Sequence, residues 1–389
     1  MDITIQPRPL CGEITVIPSK SQAHRLLICA AFADRPTQLR CADTNRDIEA
    51  TADCLRALGA KITKTDHGYI VIPIDKVPQT AQLNCCESGS TLRFMLPIVG
   101  ALGVDATIMM EGRLPQRPLS PLWALMQHMG CTLTRPTENT IFCTGKLLPG
   151  DYSIDGGVSS QFITGLMFAL PLIDGETSLE ITGKIESRPY IEMTKRALSL
   201  FDAPRFRSPE TVTVEGDWSN GAFFLAANAL GSNLTILGLN ENSPQGDRAV
   251  VDIIPVLRDG CATISAADIP DLVPILSVIA AANHGAVFTD IQRLRLKESD
   301  RVATVIAMIR AMGGNAEADD STLTIFGGGL TGGIVDSHND HRIAMSAAIA
   351  ATICQLPVTI LGAEAVNKSY PRFWEEYRRL GGNYEQYLR

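Results

Sequence analysis

The sequence predicts an α/β protein of two domains, each assembled from three copies of one repeating unit. Three observations carry this. A polar loop leading into an almost wholly apolar helix occurs six times. An amphipathic helix followed by β-rich sequence also occurs six times. The chain has 389 residues, generous for one core and normal for two.

The first half-unit opens after a short strand, Gly12 to Ile17. The loop Pro18-Ser19-Lys20-Ser21-Gln22-Ala23-His24-Arg25 leads into Leu26-Leu27-Ile28-Cys29-Ala30-Ala31-Phe32. A helix apolar nearly all round is a buried helix. Lys20, Ser21 and Arg25 therefore sit on the first turn of a core helix, where free N–H groups and the helix dipole attract an anion. The same order recurs at Glu87 to Leu102, Gly157 to Leu170, Asp217 to Leu230, Asp268 to Ala282 and Ser337 to Ala351. β-rich stretches such as Thr177 to Ile181 and Val358 to Leu361 follow nearly every copy.

The second half-unit is clearest at Val302, Val305, Ile306, Ile309 and Met312, which share one helical face before Gly313-Gly314 stops the helix. Similar units run from Asp47 to Gly59, Leu122 to Gly130, Tyr190 to Phe201, Gln245 to Gly260 and Pro371 to Gly381. Each copy holds about two helices and several strands and can bury its helices only against its neighbours. Six copies exceed one core, so the chain is expected to change domain after the third pair, near Glu215-Gly216-Asp217.

Composition narrows the partners. Charged residues are 20% and apolar residues 45%, with a formal net charge of -8, an ordinary globular balance. The acidic charge argues against a nucleic-acid partner. The most apolar run, Ile343 to Leu361, is interrupted by Gln355 and Pro357 and is not read as a membrane span. No signal-peptide pattern opens the chain. The ten cysteines include no C-x-x-C pair and no zinc-like spacing to histidine. A reduced cytoplasmic protein with buried thiols, without a metal, is expected.

The polar loops and helix starts gather Lys20, Arg25, Arg93, Arg117, Lys297, Arg301, Arg342 and Lys368. They also hold Ser21, Ser159, Ser160, Gln161, Ser187 and Tyr190, with Asp271 and Glu298 as carboxylates. So many cations in an acidic protein point to a small, highly anionic substrate. Individual residues have two readings. The run Arg293 to Arg301 is either a solvated helix entrance capped by Ser299 or Asp300, or an anion site holding Glu298 among cations. Asp271 is either a first-turn carboxylate or a catalytic one, and His341 is either a helix-start histidine or part of a site. Gly327-Gly328-Gly329 reads as a turn, because no helix follows it.

Nine short motifs then stand in one order: Lys20-Ser21-x-x-x-Arg25, Gly89-Ser90-Thr91-Leu92-Arg93, Gln116-Arg117-Pro118-Leu119, Val158-Ser159-Ser160-Gln161-Phe162, Ser187-Arg188-Pro189-Tyr190-Ile191, Ile269-Pro270-Asp271, Lys297-Glu298-Ser299-Asp300-Arg301, Asn339-Asp340-His341-Arg342 and Lys368-Ser369-Tyr370-Pro371. In these the chain resembles the 5-enolpyruvylshikimate-3-phosphate synthases, or 3-phosphoshikimate 1-carboxyvinyltransferases, over essentially its whole length. The resemblance implies the two-domain enolpyruvyl-transferase fold, an inside-out α/β barrel in each domain built from three β-α-β-α-β-β repeats. It places a second crossover near Pro18, giving one domain of 1–18 with 217–389, another of 19–216, and the active site in the cleft between them. It implies transfer of the enolpyruvyl group of phosphoenolpyruvate to the 5-hydroxyl of shikimate 3-phosphate, by addition and elimination, without a cofactor and with no nucleic-acid or membrane partner, in a monomer.

By the same resemblance, Lys20, Ser21, Arg25, Ser159, Ser160, Gln161, Ser187, Asp271 and Lys297 bind shikimate 3-phosphate. Lys20, Gly89, Arg117, Gln161, Arg301, Arg342 and Lys368 bind phosphoenolpyruvate. Asp271, Glu298 and Lys20 are the candidates for proton transfer. Three positions depart from the family's common pattern: Pro18-Ser19 lacks an intervening glycine, Glu87-Ser88 replaces Asn-Ala, and Arg293 stands where an asparagine is frequent. Two alternatives stay open. One is the sister UDP-N-acetylglucosamine 1-carboxyvinyltransferase, whose cysteine before Arg-Pro is absent from Gly112 to Pro118. The other is a non-enzymatic repeat protein that binds a phosphorylated ligand.

Overall fold

The computed structural model describes residues 1–387. Each of the twelve half-units read from the sequence falls on one α-helix. The apolar set is α1 (Lys20–Ala31), α3 (Gly89–Leu102), α5 (Ser160–Ala169), α7 (Trp218–Ala229), α9 (Val273–Ala282) and α11 (His341–Ala350). The amphipathic set is α2 (Arg46–Ala57), α4 (Leu122–His128), α6 (Arg188–Leu200), α8 (Val250–Asp259), α10 (Arg301–Ala311) and α12 (Phe373–Arg379). Polar side chains start most of the apolar helices: Ser19, Ser88, Ser159, Asp217 and Asp340 each accept a first-turn N–H. No helix among the described residues is long and apolar enough to cross a membrane.

The chain divides into two compact units. One is Met1–Ile17 together with the chain from Gly216 onward, and the other is Pro18–Glu215. Each has its own core. The first gathers Ile3, Phe224, Ile275, Phe288, Met308, Met345 and Tyr377. The second gathers Leu27, Leu55, Tyr69, Phe94, Met95, Phe162 and Phe168. Burying a side chain of this size contributes about 1.5–3 kcal/mol, so the apolar helices provide much of each core.

The strands show the repeat directly. Thr80–Asn84 pairs parallel with Asp105–Met109, which pairs antiparallel with Thr140–Gly145, beside Cys131–Thr137. The helices α3 and α4 connect these strands in β-α-β-α-β-β order. Ala262–Ser265, Gly285–Thr289, Thr322–Phe326 and Asn315–Ala318 repeat this sheet. In two further sheets one strand comes from far away in the sequence. Thr211–Thr213 joins Thr37–Arg40, pairing Thr211 with Gln38. Asp2–Gln6 lies between Val358–Leu361 and Asn383–Tyr387, pairing Ile3 with Ile360. These strands close each unit on itself.

The remaining two repeats correct the expectation of six complete units. Gly150–Asp155 pairs only with Thr177–Thr182, and Cys11–Thr15 only with Asn233–Leu237, both parallel. Neither has a closing hairpin among the described residues. After α6 the chain turns through the proline-bearing segment 203–209 to reach Thr211, and after α8 it enters Ala262 almost at once. Too few residues separate Asp259 from Ala262 for two strands and a turn, so each unit contains one β-α-β-α repeat.

Candidate active site

In the Pro18–Glu215 unit the starts of α1, α3 and α5 are tied together by side chains. Lys20 reaches Asp47 at the start of α2, with Nζ 3.0 Å from Oδ2. Arg25, one turn further along α1, is buried. Its Nε donates to Thr194 Oγ1 at 2.9 Å, Nη1 to the Ser21 carbonyl at 2.7 Å, and Nη2 to Thr164 Oγ1 at 3.3 Å and the Tyr190 carbonyl at 2.9 Å. Four of its five N–H groups are engaged, so Arg25 acts chiefly as a brace joining α1, α5 and α6. Its guanidinium also lies over Phe94 and Tyr190, 5.4 and 6.0 Å from the ring centres.

The start of α3 shows why Gly89 is glycine. A Cβ there would stand 2.6 Å from Nη1 of both Arg93 and Arg117. Two guanidinium groups thus close on one stretch of backbone. Arg93 Nη1 donates to Gln161 Oε1 at 3.1 Å, and Gln161 Nε2 donates to Ser90 Oγ at 2.9 Å. Arg93 Nη2 donates to the Pro118 carbonyl at 3.0 Å, next to Arg117. This brings Gly89, Arg93, Arg117 and Gln161 into one polar cluster. Ser159 caps α5 by accepting the Gln161 N–H at 3.3 Å, and Ser160 beside it is buried. Ser187, before α6, holds φ at 55°, a left-handed conformation that costs a non-glycine residue about 1–3 kcal/mol. Glu87, one of the departures from the family pattern, packs against Gly112.

In the other unit Asp271 is the centre. Its Oδ1 meets Arg301 Nη1 and lies 3.4 Å from Lys297 Nζ, while Oδ2 lies 3.2 Å from Arg342 Nη2. The Asp271 carboxylate stands just before α9, which begins at Val273, and serves these cations. Burial disfavours its charge, but Arg342, then Lys297 and Arg301, outweigh burial and hold the carboxyl well below the usual range. Lys297 shows the opposite balance. Burial, helped by Arg301 and Arg293, outweighs the attraction of Asp271 and pushes its ammonium down to about 8.

Arg301 is 1% exposed and faces three carboxylates. Beside Asp271 it meets Glu298 Oε2 at 2.7 Å and Asp340 Oδ2 at 3.0 Å. Asp300, not Ser299, caps α10 by accepting the N–H groups of Val302 and Ala303. Ser299 instead donates to Asp340 at 2.9 Å. His341 is buried beside Asp340, and Lys368 Nζ donates to the Asn339 carbonyl at 3.0 Å. The positive φ of His338 and Asn339, 50° and 57°, bends the chain just before α11.

Two carboxylates, Asp47 and Asp247, lie outside the motifs read from the sequence, and Asp340 lies within one without a role assigned to it. Asp47 and Asp340 each neutralise a cation already chosen. Asp247 is buried and accepts a hydrogen bond from Ser219; burial and the nearby charge of Asp271 push its carboxyl up to about 7. Asp47 and Asp247 stand outside those motifs, so only long-range contacts reveal them.

The chain is matched by known proteins. The profile of EPSP synthase (3-phosphoshikimate 1-carboxyvinyltransferase) matches residues 5–377. The 3-phosphoshikimate 1-carboxyvinyltransferase of Clostridium kluyveri is 36% identical, over 99% of this chain and 98% of its own. That of Clostridium novyi is 37% identical, over 98% of each chain. Among solved structures, EPSP synthase from Acinetobacter baumannii superposes with a TM-score of 0.80 at 24% identity, covering 99% of this chain and 100% of that one. The enolpyruvyl transferase NikO from Streptomyces tendae gives 0.73 at 16% identity, covering 99% and 98%. These structural likenesses speak for the fold, and the sequence matches speak for the family. The chain belongs to the EPSP synthase (3-phosphoshikimate 1-carboxyvinyltransferase) family.

Proposed function

We infer that this protein transfers the enolpyruvyl group of phosphoenolpyruvate to the 5-hydroxyl of shikimate 3-phosphate and releases phosphate, as its family does in the shikimate pathway. The observation that carries the reading is the convergence of Lys297, Arg301 and Arg342 on Asp271. Cations held ready around one internal carboxylate can exchange part of that partnership for the phosphate and carboxylate of a substrate.

The assignment of residues follows the chemistry. Lys20, Ser21, Arg25, Ser159, Ser160, Gln161, Ser187, Asp271 and Lys297 serve shikimate 3-phosphate. Within that set Arg25 has one N–H left to give. Lys20, Gly89, Arg117, Gln161, Arg301, Arg342 and Lys368 serve phosphoenolpyruvate. The 5-hydroxyl gives its proton to Asp271 as its oxygen bonds to C2 of phosphoenolpyruvate. The C3 methylene takes a proton from Lys20 or Glu298, giving a tetrahedral adduct. Loss of a proton from the new methyl group and of phosphate from C2 then restores the double bond. With its cations in place Asp271 is ionised but weakly basic. A bound phosphate that draws Lys297 and Arg342 away raises its basicity when a base is needed.

The residues assigned to the reaction are carried by both units, Lys20 on one and Asp271 on the other. A monomer acting in the cytoplasm completes the reading. Seven of the ten free cysteines are buried, which fits a reducing compartment. The deciding assay is phosphate release from phosphoenolpyruvate with shikimate 3-phosphate, set against UDP-N-acetylglucosamine. Release with the first acceptor alone supports the assignment, and release with neither sinks it.

A further inference from the structure

A buried hydrogen-bond chain lies one helical turn beneath the Lys20–Asp47 pair. His24 Nδ1 is 2.7 Å from Thr51 Oγ1, and Thr51 Oγ1 is 2.7 Å from Thr91 Oγ1. Thr91 Oγ1 in turn reaches Ser88 Oγ at 2.7 Å and the Asp47 carbonyl at 3.4 Å. His24, Thr51 and Thr91 are wholly buried, and Ser88 nearly so. The chain links α1, α2 and α3, three of the helices whose starts carry polar site residues.

Its direction follows from its last member. Thr91 Oγ1 gives its single proton to Ser88 Oγ at 2.7 Å, so it has none left for Thr51. Thr91 then accepts from Thr51, and Thr51 accepts from Nδ1–H of His24. The imidazole is therefore the Nδ1–H tautomer. Its Nε2 has no hydrogen-bond partner among the described residues, and the ring stands edge-on to Phe94, 6.3 Å away. A buried nitrogen without a partner is unfavourable, and an apolar ring of similar shape would avoid it. What histidine supplies here is the donor at Nδ1. Burial, reinforced by Lys20 and Arg25, lowers its pKa well below the ordinary value, so the ring stays neutral and the chain keeps its direction.

The register gives the chain its purpose. Lys20 is four residues before His24, and Asp47 is four before Thr51. Each pair shares one helix face. The His24–Thr51 bond thus repeats, one turn deeper, the Lys20–Asp47 contact of 3.0 Å. Thr91 sits two residues into α3 from Gly89, and its N–H is capped by Ser88. We propose that His24 is a positioning residue: through Thr51 and Thr91 it fixes the starts of α1, α2 and α3 against one another, and so sets where Lys20 and Gly89 stand. The proposal rests on the assignment of Lys20 and Gly89 to phosphoenolpyruvate given above.

The test compares T51V, H24F, H24N, the double variant H24F/T51V and K20M in the full chain, by steady-state kinetics and thermal unfolding. T51V exchanges one hydroxyl for a methyl. It should lower kcat about ten- to hundred-fold while the protein stays folded, with KM rising more for phosphoenolpyruvate than for shikimate 3-phosphate. H24F should do the same, and the double variant should be no worse than the worse single one. H24N returns an N–H near the place of Nδ1 and should recover most of the lost kcat. T51V with unchanged kcat, or H24N no better than H24F, overturns the proposal. An active K20M removes Lys20 from the mechanism and this proposal with it. An inactive K20M beside an unimpaired T51V overturns the role of His24 alone.

Discussion

Arg301 Nε donates to Asp340 Oδ2 at 3.0 Å, with the two side chains 1% and 0% exposed. Asp340 also accepts from Ser299 Oγ at 2.9 Å and, through Oδ1, from the Arg342 N–H at 3.0 Å. One carboxylate therefore holds a cation from the start of α10 and caps α11. Asp340→Ala leaves Arg301 with one fewer buried partner and removes the cap. A loss of about 3–5 kcal/mol is expected for breaking such a pair. The urea midpoint of D340A against the parent protein measures it, and an unchanged midpoint would show that Arg301 finds compensation elsewhere.

The same carboxylates make stability pH-dependent, with a definite sign. Asp271 and Asp340 both have folded-state pKa values below the usual range; burial opposes the shift at each, and the neighbouring cations prevail. Their contribution is fully present above the unfolded value of about 4. It is lost as pH falls from there through their lowered folded values. Urea unfolding from pH 6 downward should show this decline, and D271N should show a shallower one.

Lys297 titrates in a different window. With its ammonium pushed down to about 8, it is partly neutral at a pH where ordinary lysines, with pKa about 10.4, are charged. Only the neutral amine attacks an acylating reagent. Lys297 should therefore be acetylated with a half-maximal rate near pH 8, ahead of the exposed lysines, as read by peptide mass spectrometry. Excess shikimate 3-phosphate should protect it, because an adjacent anion favours the charged form.

Gly165 sets the spacing between α5 and α3. A Cβ at this position would collide with the Arg93 carbonyl oxygen and stand 2.8 Å from Pro97 Cγ. Gly165→Ala must push the helices apart, which costs about 1–3 kcal/mol for a forced fit of this kind. The same shift would lengthen the 3.1 Å bond from Arg93 to Gln161. G165A should melt earlier and show a raised KM for phosphoenolpyruvate. An unchanged melting temperature would mean that α5 slides at no cost.

How much of this was legible in the sequence depends on range. Helix positions follow from local signals, such as the apolar run after Ser88 and the stop at Gly313-Gly314, and all twelve emerge in place. The closing strands do not, because Thr211 pairs with Gln38 and Ile3 with Ile360 across most of a unit or of the chain. Strand pairing at that separation leaves no periodic trace. The missing hairpins after α6 and α8 were legible only as short spacing, which a repeat-based reading fills in too readily. At the site the cations stood out at helix starts. Their carboxylate partners Asp47 and Asp340 carried no reading of their own, because the contacts to Lys20 and Arg301 span 27 and 39 residues.

The role of Asp271 can be separated from that of its cations. Asp271→Asn keeps the size of the side chain and one carbonyl acceptor, but removes the charge and the capacity to take a proton. Lys297, Arg301 and Arg342 would then face one anion fewer, and a substrate phosphate would no longer compete with Asp271 for them. Binding of shikimate 3-phosphate should be unchanged or tighter in D271N, by calorimetry. Turnover should fall by about 10²–10⁴-fold, the size of a lost general base. Glu298→Gln offers the contrast, since Glu298 touches Arg301 at 2.7 Å from a more exposed place. If Glu298 serves the methylene carbon instead, E298Q should slow deuterium entry at C3 of phosphoenolpyruvate in heavy water. D271N turning over near the parent rate would pass the base role to another group, and tight binding with slow turnover would place Asp271 at the 5-hydroxyl.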